Sequence, residues 1–165
     1  MAVNVSGRQA LDAGFLESLH DALNTSSLPG RGLEVEITES ELVDPGGAIL
    51  EVLNRIRALG VRVAVDDFGT GYSALSHLKR LPVDSLKVDR SFVSGLPDDG
   101  KDVAITRTIL ALATNLGLET VAEGVETLAQ ARFLALHGCR ELQGRLYGSA
   151  VPAGDIPDLV RRLGS

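Results

Sequence analysis

Asp66 and Asp67 stand side by side just after the apolar run Val61–Val65, and other acids occupy comparable places along the chain. Glu36 lies inside Leu33–Thr38, Lys87 and Asp89 alternate through Leu86–Asp89, and Glu123 follows Thr120-Val121-Ala122. Asn4 sits between two valines near the start. Carboxylates with an amide are the oxygen ligands that a hard divalent ion such as Mg²⁺ takes. Gathered together, they would repel one another strongly unless cations lay among them. Asp66-Asp67 can supply one carboxylate that bridges two ions and a neighbour for the second. Blander readings stand beside this one. Asp67 at a strand-to-helix junction also suits a helix N-cap, Asn4 can satisfy a turn, and Glu34 and Glu39 can be ordinary surface charges.

The elements that would position these groups follow from periodicity. Short β-branched runs at Ala2–Val5, Leu33–Thr38, Val61–Val65, Ser85–Asp89, Glu119–Ala122 and Glu141–Leu146 read as strands. Between them apolar residues recur at three- and four-residue spacing, as in Ile49, Val52, Leu53, Ile56 and Leu59 before Gly60, and Val103 to Leu116 before Gly117. A glycine just past the last periodic residue is a helix stop. Pro97-Asp98-Asp99-Gly100 reads as a turn before a helix. Steady alternation of strand and helix argues for parallel β with crossover helices, so 1–165 is a single domain. An open doubly wound sheet and an incomplete eight-stranded barrel both satisfy that pattern. No GxGxxG or GxxxxGK[ST] occurs to support a nucleotide-binding open sheet.

Strand parity favours the barrel. Alternate residues of a strand face opposite sides; Val35 and Ile37, Val63 and Val65, and Leu86 and Val88 make apolar rows. With those rows against helices, Asn4, Glu36, Asp66, Lys87, Asp89 and Glu123 point toward one mouth. The C-terminal mouth is where a (β/α)₈ barrel carries its active site.

Composition narrows the function classes. The 165 residues are 44% hydrophobic with four Phe, two Tyr and no Trp, so Leu, Val, Ile and Ala must fill the core. A formal charge of −6 without a basic stripe argues against long nucleic acids. A small phosphorylated ligand stays possible, since bound cations reverse the local sign. Cys139 is the lone cysteine, which excludes an internal disulfide and points to a reducing compartment. No apolar run approaches a membrane span and no signal pattern opens the chain, so a cytoplasmic domain is expected. Cys139, His20, His77 and His137 read as structural or surface residues.

The local strings resemble the EAL domain family. Asn4-Val5-Ser6 with Arg8-Gln9 is followed by Leu33-Glu34-Val35-Glu36-Ile37-Thr38-Glu39 and by Asp66-Asp67-Phe68-Gly69-Thr70-Gly71-Tyr72-Ser73. Then come Leu86-Lys87-Val88-Asp89-Arg90-Ser91-Phe92-Val93, Val121-Ala122-Glu123-Gly124-Val125-Glu126 and Leu142-Gln143-Gly144. Asp-Phe-Gly alone would equally suit a protein kinase, but no HRD-type loop or glycine-rich lid accompanies it. All six strings fall in the family's order and spacing.

The resemblance implies a TIM-like barrel that hydrolyses cyclic di-GMP to linear pGpG with two Mg²⁺ or Mn²⁺ ions, in bacterial second-messenger signalling. By motif, Asn4, Glu36 and Asp66 resemble ligands of the first metal; Asp66, Asp67 and Glu123, with Asp89 through water, resemble the surroundings of the second. Lys87 resembles the cation that orients the attacking water or neutralises the phosphate. Glu39 resembles the glutamate that braces the Asp67–Ser73 loop, which Gly69 and Gly71 leave free to turn tightly. Glu126 and Gln143 resemble outer or substrate contacts.

The resemblance covers about six of eight β/α units. The family's Glu-Ala-Leu strand and its neighbour would lie before Met1, and the first metal is expected to bind less tightly without that Glu. Bare strand edges invite a homodimer or pairing with another domain. Near the end, Arg145-Leu146-Tyr147-Gly148-Ser149-Ala150-Val151-Pro152 replaces the family's usual Tyr-Leu-Phe-Ser-Arg-Pro-x-Pro. Alternatives to an active phosphodiesterase are a non-catalytic cyclic-di-GMP-binding module and an inactive gene fragment.

Overall fold

The computed structural model describes residues 1–42, 47–71 and 78–163, so Tyr72, Ser73 and His77 lie outside the described residues. Six parallel strands lie side by side in chain order: β1 (Ala2–Asn4), β2 (Glu34–Thr38), β3 (Arg62–Phe68), β4 (Ser85–Val88), β5 (Glu119–Ala122) and β6 (Glu141–Leu142). A doubly wound sheet reverses its strand order at a switch point; this one never does. The chain forms a partial (β/α) barrel.

Helices α1 (Gly7–Ala10), α2 (Phe15–Ser26), α3 (Ala48–Ala58), α4 (Arg90–Val93), α5 (Gly100–Leu116), α6 (Leu128–Leu136) and α7 (Ile156–Leu163) accompany the strands. Their ends follow local chemistry. Asp99 caps α5 by accepting the N–H groups of Lys101 and Asp102, and Gly117 ends it in a left-handed conformation. Ser6 with Gln9 and Thr127 with Gln130 form capping boxes at α1 and α6. Among the described residues no helix is long and apolar enough to cross a membrane.

The core lies between the sheet's apolar rows and the helices. Val35, Ile37, Val63, Val65, Leu86 and Val88 meet Ile49, Leu53 and Ile56 of α3 and Ile109, Leu110 and Ala113 of α5, all buried. Phe68 is the one aromatic in this buried set, as the composition required. Leu53 is fully buried, and its truncation to Ala is expected to cost about 2–5 kcal/mol.

Two strands depart from the expected bounds by more than one residue. β3 continues past Val65 to Phe68 and so carries the acid pair inside the sheet. β6 stops at Leu142 rather than Leu146, because the chain turns across Val125 there. Gln143 accepts the Val125 N–H at 3.0 Å, and a Cβ on Gly144 would fall 2.2 Å from the Val125 carbonyl oxygen. Only glycine fits so close a crossing.

Candidate active site

The sheet face opposite the core is polar and lines a cavity of about 270 Å³ that includes Glu34, Glu36, Arg62, Lys87, Val121 and Gln143. Toward the strands' C-terminal ends, the mouth of the barrel, three carboxylates meet one ammonium. Lys87 Nζ lies 2.7 Å from Glu36, 3.1 Å from Asp66 and 2.7 Å from Glu123. The lysine is 4% exposed. Burial alone would push its pKa down, but hydrogen bonds to Glu123, Glu36 and Asp66 outweigh it and hold the group charged well above its ordinary value. Glu123 is brought there by strand pairing, its N–H bonded to the Val88 carbonyl at 3.1 Å.

Adjacent residues of a regular strand cannot serve one site, since they face opposite ways. Here the β3–β4 register shifts between Val65 and Phe68, and Asp67 has φ +52. A bulge of this kind re-aims a side chain. It turns Asp67 toward the acids: burial raises its pKa, and the charges of Asp66, Asp89 and Glu123 raise it further against Lys87. Asp67 is therefore not a helix N-cap. That role belongs to Asp89, which accepts the Ser91 N–H at the start of α4 and also bonds the Ser91 hydroxyl. Burial pushes the Asp89 carboxyl up, and these bonds outweigh it and leave the carboxyl below its usual range.

Around this centre the remaining residues take distinct places. Glu39 is buried, not a surface charge, and accepts the N–H groups of Gly69 at 2.8 Å and Gly71 at 3.3 Å. It ties the turn after the acid pair to the end of β2. Gly69 has φ +99, and a Cβ there would sit 2.9 Å from the Phe92 ring. Asn4 is exposed at the end of β1, opposite Glu36 in the register. Gln143 is exposed beside the cavity that Glu36 and Lys87 line. Glu126 stands on the rim, bonded by Arg90 at 3.2 Å and 3.9 Å from Arg145.

His20 and His137 lie on helices away from the mouth, on α2 and at the end of α6 where His137 stacks on Phe133. Cys139 is buried, and burial pushes its thiol up.

A second polar cluster escaped the sequence reading. Arg62 bonds both Glu34 and Glu119, and Ser85 donates to Glu34 at 3.1 Å. Glu34 is thus held on the inner face. The same parity argument finds it: Glu34, Arg62, Ser85 and Glu119 share the face of Glu36 and Lys87, nearer the strands' N-terminal ends.

The donor set suits a divalent cation chemically. Glu36, Asp66, Asp67, Asp89 and Glu123 are all-oxygen donors, and their charge exceeds what Lys87 offsets. Among the described residues, however, no group of three or more acids, histidines or cysteines is arranged to hold an ion. Where Glu36, Asp66 and Glu123 meet, the Lys87 ammonium stands. It engages one oxygen of each, which leaves the second oxygens open to a cation.

Comparison with known proteins agrees with the motifs. The EAL domain family model matches residues 1–150. The chain is 47% identical over 94% of its length to the bifunctional diguanylate cyclase/cyclic di-GMP phosphodiesterase MucR of Pseudomonas aeruginosa, and 40% identical over 98% to the cyclic di-GMP phosphodiesterase NbdA of the same species. It spans 23% and 21% of those proteins, less than a quarter of either. The MucR phosphodiesterase in complex with c-di-GMP superimposes with a TM-score of 0.89 at 46% identity, over 94% of this chain and 63% of that one. A manganese/cy-diGMP complex of Klebsiella pneumoniae BlrP1 superimposes with a TM-score of 0.82 at 34% identity, over 90% and 38%. With six ordered motifs, a partial barrel and acids gathered at its C-terminal mouth, this chain belongs to the EAL domain family.

Proposed function

We propose that the mouth is the site of a metal-dependent cyclic-di-GMP phosphodiesterase yielding linear pGpG, part of a cytoplasmic bacterial signalling protein. The observation that carries this reading is the convergence of Glu36, Asp66 and Glu123 on Lys87, with Asp67 turned in beside them. Asn4, Glu36 and Asp66 would hold one ion, and Asp66, Asp67 and Glu123, with Asp89, a second. When bound, Mg²⁺ or Mn²⁺ supplies a water of lowered pKa and offsets charge on the phosphate oxygens.

The chain's own residues do the rest. With no ion bound, the acids hold Lys87 protonated, and as a cation beside the phosphate it would offer a charge already in place before reaction. Glu39 fixes the Gly69–Gly71 backbone and with it the bulge that aims Asp67. Among the described residues β1 and β6 are the sheet's edge strands, and a second chain or a further domain would pair there.

The test is incubation with cyclic di-GMP and Mg²⁺ or Mn²⁺. Linear product is expected from the wild type and none from Asp66→Ala. A wild type that neither binds nor hydrolyses cyclic di-GMP would refute the proposal. Binding without turnover would instead support a regulatory module, a reading favoured by Lys87 already engaging three of the acids.

A further inference from the structure

Glu123 is the acid of the Lys87 cluster that lies beyond the end of its strand: β5 ends at Ala122, and the chain then turns through Gly124 and Val125 into α6. A side chain on a turn is placed only as well as the turn is held. Three neighbours hold this one. Gln130 accepts the N–H groups of Glu126 and Thr127 at 2.8 and 2.9 Å and donates to the Ser94 carbonyl at 3.4 Å. The β6 exit grips Val125 through the Gln143 carbonyl and the close crossing at Gly144.

The third neighbour is Arg90, and it acts on the residue next to Glu123. Gly124 has φ +69, and a Cβ there would lie 2.3 Å from Arg90 Cγ, 2.8 Å from its Cβ and 2.9 Å from its Cδ. The stem of the arginine therefore lies flat across the Gly124 backbone. Its guanidinium continues past the turn to bond Glu126. One side chain thus spans the turn from Gly124 to Glu126 and anchors it to the start of α4, directly after Asp89. The Arg90 side chain as a whole is 62% exposed, so the ion pair by itself contributes little; the contact of the stem with the Gly124 backbone does more.

We propose that Arg90 is a positioning residue, which keeps Glu123 against Lys87 by locking the β5–α6 turn from β4's side. The inference rests on the mouth being the phosphodiesterase site, and it assigns Arg90 no contact with substrate. It explains why Gly124 must lack a side chain: a Cβ would displace the arginine stem and strain the backbone at once.

Amide hydrogen exchange of the 165-residue chain, with Mn²⁺ titration of the same samples, tests this. The reporters are the Glu123 and Val125 amides, bonded to the Val88 and Gln143 carbonyls; the control is the Arg62 amide, bonded to Leu33 across β2 and β3. In Arg90→Ala the two reporters are expected to exchange at least about tenfold faster with the control unchanged, and Mn²⁺ to bind about tenfold more weakly. Arg90→Lys keeps a stem and a charge, and should restore most of both. Gly124→Ala should loosen the same two reporters at least as much as Arg90→Ala, since it unseats the arginine stem and adds strain at a left-handed φ. Unchanged reporters, a control that loosens equally, or unaltered Mn²⁺ affinity would each overturn the role given to Arg90. A wild type that binds no Mn²⁺ would refute the phosphodiesterase reading instead, and exchange would still decide whether Arg90 locks the turn.

Discussion

The two ends of the sheet's inner face carry charge in opposite ways. Toward the strands' N-terminal ends, Arg62 lies between Glu34 and Glu119, Ser85 adds a donor to Glu34, and Arg140 reaches Glu119 at 2.9 Å. Donors and acceptors there are matched, and β2 and β3 run in unbroken register. At the mouth, acids crowd around Lys87, the register slips and Asp67 adopts a left-handed backbone. Unmatched charge and strained backbone raise the free energy of a fold and persist where the surroundings impose them. The first cluster holds the barrel wall together; the second is held by it. Barrels in general keep stability at the N-terminal face and chemistry at the C-terminal one.

Lys87 is the point where that contrast breaks most readily. Lys87→Met leaves three carboxylates facing one another in a buried site, and removal of one partner from a buried ionic cluster costs about 3–5 kcal/mol. Urea unfolding should show a loss of that size, partly reversed by added Mn²⁺ if the acids accept a cation in place of the ammonium. Full wild-type stability in the variant would mean that Lys87 is not what gathers the acids. Asp66→Asn should behave differently. Lys87 keeps Glu36 and Glu123, so the unfolding midpoint should hold or rise, while turnover of cyclic di-GMP should fall at least about hundredfold.

Much of this arrangement was legible in the sequence. Parity placed Glu36, Asp66 and Lys87 on one face because strand geometry leaves no choice. Chain-order pairing followed from the steady alternation of elements. Asp67 was harder: alternation sends it away from Asp66, and a bulge is a property of two paired strands that one run of residues does not display. The cluster at Arg62 was missed for a related reason. Its partners Glu34 and Glu119 are 28 and 57 residues away, so each looked like a solvated charge within its own segment. The shortness of β6 depends likewise on the approach of Val125 to Gly144.

Arg62→Met sharpens the comparison from the other end. It leaves Glu34 and Glu119 without their shared partner on a half-buried face, and about 1–3 kcal/mol of stability should be lost, the usual cost of an unsatisfied partner. The mouth should not notice: Mn²⁺ affinity and turnover per folded molecule are expected to match the wild type. A fall in either beyond about threefold would show that the two clusters are coupled through β3, which carries Arg62 at one end and Asp66 at the other.

The smallest effect is one of pH, and it too separates the ends. The Arg62 hydrogen bond holds the Glu119 carboxyl below its usual range, outweighing the burial that raises it. A carboxyl depressed in the folded state adds stability above its unfolded pKa of about 4.3, and that contribution is lost as the pH falls through the folded value. Wild-type stability should therefore decline on the acid side of about pH 4.3, and Arg62→Met should decline less steeply there, since its Glu119 has already lost the Arg62 hydrogen bond and keeps only Arg140. The raised Arg62 pKa cannot mimic this, because a raised cation loses its contribution only in strong alkali. Urea midpoints of the two proteins between pH 3 and pH 7 should converge toward the acid end. Parallel curves would mean that the Arg62–Glu119 bond carries no net stability, and that the wall rests on its apolar rows alone.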